Sequence, residues 1–474
     1  MLEKGVFFQD QQRRGEAAPK EPQINYDFEK LISYRKRNIA AAVNHICDSI
    51  DSDGYVRAAT DYTWYKLMWF RDSSLISSAL SQAAAVLSNL ADKSMLNEAL
   101  MAKNTALKII SKEWDVIDKS RPKLATAAST PLQDPELKKL KNHLPARITK
   151  DGTLADMDID GRHINDVPEA ENQNSWLKQF DSIPLILYAT SEFINSFGPQ
   201  SLSRELIEKI NSNLAMLSDY IIHVYKCPCA DAWEQSPHML HSYSVGAVFG
   251  GLTSALKISE RLGIELDSEK INKEIYGKNG IASFINELFV KDGVLRKYRK
   301  EFGADVEEYP KVDASAYILF ALLDKNHDLI NTETYYKTMD ALKENHIFKS
   351  VDGSRIYESA MPKRYEGDRY FGGAGWILLA ALEASISISE GDISHAEYIL
   401  SEIEKLIPKE GFKLPEQEPL EDIFLNPYRE SEADAKGKNP AMDLIWSSAE
   451  YLRAATAELD FIRRNKQETN MLRK

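Results

Sequence analysis

The chain has 474 residues, 43% of them hydrophobic, enough to bury a large core in one big domain or about two to three average ones. Its formal net charge of -13 argues against a general nucleic-acid or anionic-membrane binder, because those partners attract basic surfaces, and neutral substrates fit better. The three cysteines, Cys47, Cys227 and Cys229, have no disulfide-framework spacing and point to a reduced, cytoplasmic compartment.

Residues 1–27 are polar and rich in Gln, Arg and Pro, with no signal-peptide or membrane-span pattern, and are expected to form a loosely ordered extension. From there helical periodicity dominates and strand-like alternation is scarce. The spacing predicts helices over 28–50, 73–92, 96–118, 175–197, 203–226, 240–263, 268–290, 312–326, 332–347, 371–389, 394–407 and 440–465. No linker divides them, so residues 28–465 read as one domain and 466–474 as a tail. Cys227-Pro-Cys229 lacks a second pair or a His cluster to complete four ligands, so no metal is expected.

Connections after the even helices run to about three to five residues, and those after the odd helices from about a dozen to more than fifty. Short links make antiparallel neighbours, so all the long loops gather at one end. Composition alternates in step. The eighth helix, around Ala316-Tyr317-Ile318-Leu319-Phe320-Ala321-Leu322-Leu323, is apolar all round, whereas the ninth carries Glu333, Lys337, Asp340, Lys343 and Glu344. A helix apolar on every side is buried, and one with a charged face lies outside. Six outer-inner pairs closing on themselves predict an all-α fold, an (α/α)6 barrel. An open solenoid would show a sequence repeat, and none is found.

On this frame Trp69, Arg71 and Asp72 precede the second helix, Trp176 opens the fourth, Trp233 and Glu234 precede the sixth, Arg364 precedes the tenth and Trp376 lies in its first turns, and Glu416 and Gln417 precede the twelfth. All belong to one mouth. Aromatic faces cover the C–H surface of a sugar while Arg and Asp bond its hydroxyls. Two loop glutamates, Glu234 and Glu416, supply what acid/base hydrolysis of a glycosidic bond needs, one carboxyl to protonate the leaving oxygen and another to deprotonate water. Plainer readings accompany these. Asp72 could be a helix N-cap, and Asp181 and Asp313, which start inner helices, read as caps or structural hydrogen-bond partners.

Four segments in order resemble the glucoamylase family, glycoside hydrolase family fifteen, from about residue 35 to 465. They are Tyr65-Lys66-Leu67-Met68-Trp69-Phe70-Arg71-Asp72, Asp231-Ala232-Trp233-Glu234-Gln235, Arg364-Tyr365-Glu366-Gly367-Asp368-Arg369-Tyr370 with Gly375-Trp376, and Pro415-Glu416-Gln417 with Leu444-Ile445-Trp446-Ser447-Ser448-Ala449-Glu450. The resemblance implies an (α/α)6 barrel and inverting release of β-glucose from α-glucosides. It further implies that Arg71 and Asp72 bind the non-reducing glucose, Arg364 reaches the next sugar, Glu234 is the general acid and Glu416 lies in the segment carrying the general base. Tyr65 is expected to stack beneath the cationic transition state, and Gln417 either to support Glu416 or to line the loop. Ala374-Gly375 and Gln235 depart from the pattern of many members near the leaving sugar, which bears on linkage rather than chemistry. The family's N-terminal β-sandwich and starch-binding module are absent from the sequence, so soluble α-linked glucose oligosaccharides are the expected partners. No cofactor, nucleic acid or membrane is expected, and the chain should be a monomer or weak homodimer. A catalytically inactive carbohydrate sensor on the same barrel is the alternative of another class.

Overall fold

The structure, a computed structural model, describes residues 28–61, 67–90, 93–132, 134, 143–150, 178–299, 312–350, 352–421, 424–425 and 440–472. The chain divides into two units, 1–37 and 38–474. Its helices are α1 (Phe28–Asp48), α2 (Phe70–Asn89), α3 (Leu96–Ser129), α4 (Ser182–Phe197), α5 (Arg204–Val224), α6 (Ser242–Leu262), α7 (Ser268–Tyr276), α8 (Ile281–Leu288), α9 (Ser315–Ile318), α10 (Thr332–Leu342), α11 (Ile377–Glu390), α12 (Ile393–Glu404) and α13 (Ile445–Leu472).

Within the larger unit α2 packs on α4, α4 on α6, α6 on α9 and its π-helical continuation Leu319–Leu323, that segment on α11, α11 on α13, and α13 back on α2. The ring closes, which makes the fold an (α/α)6 barrel rather than an open solenoid. Outside it, α3 covers α2, α5 lies against α3 and α6, α7 and α8 cover α6, and α12 covers α11 and α13. Sequence explains the layering. In α11, Ile377-Leu378-Leu379-Ala380-Ala381-Leu382 is buried throughout, whereas in α12 Ile399, Leu400 and Ile403 are buried but Tyr398 is exposed.

Small residues let the inner helices approach. A Cβ on Gly251 of α6 would stand 2.6 Å from the Cα of Pro184 in α4. On α2, Ser73, Ser74, Ser77, Ser78 and Ser81 are all buried. Buried hydroxyls need partners: Ser81 Oγ donates to Ser77 O, while Ser73 Oγ and Ser74 Oγ both donate to Glu113 Oε1 of α3. Ring closure has a polar staple as well, since Arg453 of α13 donates to Leu75 O and Ser78 Oγ of α2 and to Glu450 Oε2.

Several boundaries differ from expectation. The single helix predicted over 268–290 is two, because Gly277 and Gly280 bring backbone so close that an added Cβ would meet Lys273 O at 2.3 Å and Glu274 O at 2.4 Å. The eighth helix shrinks to one turn of α9 followed by the π segment, where Asp324 N donates to Leu319 O. The third runs eleven residues past its expected end, through Pro122 to Ser129, because Leu124 and Ala127 still have a buried face to fill. The second starts at Phe70, so Asp72 is not the N-cap but lies within the first turn.

Strands are two or three residues long: Met68–Trp69 pairs with Arg147–Ile148, Leu240–His241 with Tyr298–Arg299, Val290–Lys291 with Val294–Leu295, and Ile347–Lys349 with Ile356–Glu358. Their value is local. A helix leaves its first N–H groups without intrahelical acceptors. Here the first residues of four inner helices find them on neighbouring loops: Phe70 N donates to Ala146 O, Ser242 N to Lys297 O, Ile377 N to Glu416 O and Ile445 N to Ala58 O. The mouth is thus a ring of loops tied to helix starts.

Candidate active site

One cleft at these helix starts is lined by Trp69, Arg71, Asp72, Trp233, Glu234, Arg364, Trp376 and Glu416, together with Ala58, Ala232, Tyr370, Leu444 and Trp446. Segments as far apart in sequence as those of Ala58 and Trp446 meet there. Of the other residues singled out in the sequence, Tyr65 and Trp176 lie outside the described residues. Gln417 is buried beside the cleft rather than lining it, its Nε2 donating to Tyr370 O at 3.2 Å.

Glu234 sits in a turn that the sequence makes costly. Its φ is +64°, in the left-handed region that L-residues avoid, and Ser236 follows at +48°. Asp231 holds this turn: its Oδ1 accepts from Trp233 N at 2.9 Å and Gln235 N at 2.8 Å, the amides on either side of Glu234. Trp233 is held from its other end, where Nε1 donates to Asp313 at 2.9 and 3.0 Å. Burial pushes the Glu234 carboxyl up to about 7, with Arg71 opposing and Asp72 reinforcing the shift. A carboxyl in that state keeps its proton through the mildly acidic range and is about half protonated at neutrality.

Arg71 and Asp72 point into the same space. Arg71 is buried and anchored, donating through Nε to Asp181 Oδ2 at 3.1 Å, through Nη1 to Ala232 O at 2.5 Å and through Nη2 to Gln179 Oε1. Asp181 is therefore a structural partner, as one of its two expected roles had it; it occupies the N-cap position of α4 without a side-chain capping bond. Asp313 is likewise a structural partner, accepting from Ser315 N at 2.8 Å as well as from Trp233, while the N-cap position of α9 is Ala314. Asp72 is pushed up to about 6 by burial, against the pull of Arg71.

Across the cleft, Arg364 forms a fork-to-fork pair with Asp368, at 2.7 and 2.6 Å, and lies 4.8–5.5 Å from the ring centres of Trp233, Trp376 and Tyr370. Trp233 and Trp376 are themselves 5.5 Å apart. Glu416 enters from the loop before α13 and is buried, with the Tyr370 hydroxyl 3.4 Å from its Oε2. Its backbone is fixed on both sides, N donating to Ala441 O and O accepting from Ile377 N. The arrangement offers one carboxyl pushed up to about 7, a second carboxyl on a loop tied at its backbone, and aromatic and charged residues lining the same cleft.

Two aromatic lining residues were not singled out from the sequence, although the segments containing them were. Tyr370 closes the block that begins at Arg364, and Trp446 starts α13, where its Nε1 donates to Glu450. Lys297, which does not line the cleft but is buried against Asp231, carried no sequence signal, since it lies in a run of basic residues.

No protein-family model matches the chain. Among curated proteins, isomaltose glucohydrolase of Kribbella flavida is 25% identical over 252 residues, 52% of this chain and 57% of that protein, so the match spans little more than half of that relative's length. Among solved structures, a glycosidase in complex with glucose superposes with a TM-score of 0.66 at 20% identity, covering 91% of this chain and 98% of that one. Glucoamylase from Saccharomycopsis fibuligera gives 0.60 at 17% identity, over 93% and 98%. The structure of Hormoconis resinae glucoamylase gives 0.55 at 13%, over 90% and 73%. At these identities the likeness is one of fold, and the fold is the glucoamylase-type barrel that the four sequence segments imply.

Proposed function

We propose that the protein is an exo-acting, inverting α-glucosidase of glucoamylase type that releases β-glucose from the non-reducing ends of soluble α-gluco-oligosaccharides. One observation carries the reading: a single cleft is lined by Glu234, whose carboxyl burial pushes up to about 7, and by Glu416, with Trp69, Trp233 and Trp376 around them. Glu234 gives its proton to the glycosidic oxygen as the bond to the anomeric carbon breaks. Glu416 takes a proton from the water that attacks that carbon from the opposite face. Positive charge develops on the sugar ring in between, and the carboxylates of Asp72 and Glu416 stabilise it. Arg71 and Asp72 bond the hydroxyls of the terminal glucose, and Arg364 with Trp376 meets the leaving sugar.

A second reading concerns linkage. The curated relative is an isomaltose glucohydrolase, which favours α-1,6-linked isomaltose beside α-1,4-linked maltose, and trehalose or dextran-type substrates share the required bond chemistry. The test is glucose release from maltose, maltotriose, isomaltose and trehalose by the purified protein and by Glu234→Gln and Glu416→Gln. At least one substrate should turn over, and each variant should lose about a hundredfold or more. No release from any substrate, with sugar binding intact, would make the protein a carbohydrate sensor instead.

A further inference from the structure

Lys297 is buried between two carboxylates, its Nζ 2.8 Å from Asp231 Oδ2 and 3.1 Å from Asp313 Oδ2. The same ammonium stands 4.2 Å from the Tyr365 ring centre and 3.4 Å from Gln235 Oε1, which also accepts from the Tyr365 hydroxyl at 2.7 Å. Its backbone carbonyl accepts both Ser242 N and Ser242 Oγ at the start of α6. One residue thus joins the entries of α6, α9 and α11. Burial disfavours its charge, but Asp231 and then Asp313 outweigh that and hold the ammonium above the usual lysine range.

Both carboxylates it neutralises act on the turn containing Glu234. Asp231 holds the amides on either side of Glu234, and Asp313 holds the Trp233 indole. Left without a cation, two buried carboxylates this close would repel or take up protons, and either change loosens their hydrogen bonds to the turn. The left-handed backbone of Glu234 has to be held by its surroundings, and relaxation there would swing the carboxyl away. We propose that Lys297 is a positioning residue for the proton donor, acting through Asp231 and Asp313 to hold the Glu234 carboxyl toward the glycosidic oxygen. The proposal rests on the reading of Glu234 as general acid.

A leaving group that needs no proton separates positioning of the acid from general support of the fold. In α-glucosyl fluoride the C1–F bond breaks to give fluoride ion while water adds to C1 and yields its proton to Glu416, so the acid contributes little. Lys297→Met should lower kcat on the best oligosaccharide about a hundredfold with KM within about threefold, and lower kcat on α-glucosyl fluoride by less than about tenfold. Lys297→Arg should recover part of the oligosaccharide rate. Should Lys297→Met fail to fold, Lys297→Met/Asp313→Asn keeps the cluster's net charge at minus one, and the same pattern is expected. Equal losses on both substrates, or wild-type kcat with only a lower melting temperature, would overturn the proposal. Glu234→Gln run alongside separates the two ideas. If it too loses both substrates equally, the acid assignment fails; if it alone shows the selective loss, only the role of Lys297 fails.

Discussion

Asp72 is the residue at which the plain and the functional readings part most sharply. As an N-cap its carboxylate would bond a backbone N–H two or three residues on, but the N-cap position is Trp69 and Asp72 lies in the first turn, facing the cleft. Its negative charge also raises the proton affinity of Glu234, so it should matter twice. Asp72→Asn is expected to lower kcat/KM about a hundredfold, by removing a charged contact that strengthens in the transition state, and to leave the fold intact. The sign of its second effect follows from linkage of charge. With Glu234 required in protonated form, activity of the wild type falls as pH rises through about 7, the value to which burial brings that carboxyl. Removing the neighbouring negative charge moves this basic limb to lower pH. A pH profile of kcat/KM measures both, and an unmoved limb with near-normal rate would return Asp72 to a structural role.

Among the elements, the joint between α4 and α6 is the most sterically committed, because the atom facing Gly251 is the backbone Cα of Pro184 and cannot rotate away. Gly251→Ala should therefore destabilise the protein by about 1–3 kcal/mol through overpacking, read as a lower midpoint in urea with an unchanged slope. An unaltered midpoint would mean that the two helices separate at little cost. Elements are also where sequence reading met its limits in an instructive way. Inner and outer helices were legible because connection length and surface charge alternate together. The break inside 268–290 was not, since apolar periodicity runs on through Gly277 and Gly280, and only the packing of the chain back onto Lys273 and Glu274 makes those glycines a corner. Nor was the π segment after α9, where Asp324 N reaches back five residues to Leu319 O.

Across the whole barrel, the site consists of helix starts that are remote in sequence and adjacent in space. Motif-bearing residues such as Arg71, Glu234, Arg364 and Glu416 could be named in advance because each stands beside aromatic or proline residues at or before the start of an inner helix, in segments that resemble the glucoamylase family. The supports could not. Lys297 resembles any surface lysine until Asp231 and Asp313 are seen on either side of it, and the ties from Ile377 to Glu416 and from Ile445 to Ala58 exist only once the ring closes. Among the described residues no helix is long and apolar enough to cross a membrane.

The central claim is that Glu234 and Glu416 act from opposite faces of the sugar, with water delivered by Glu416. The stereochemistry of the first product tests it most directly. Proton NMR of an α-glucoside digest, followed from the earliest time points before mutarotation mixes the anomers, should show the β-anomeric signal of glucose appearing first. Appearance of α-glucose first would mean that the carbon is attacked twice or from the same face, and would contradict the assignment of Glu416 as the base in an inverting reaction.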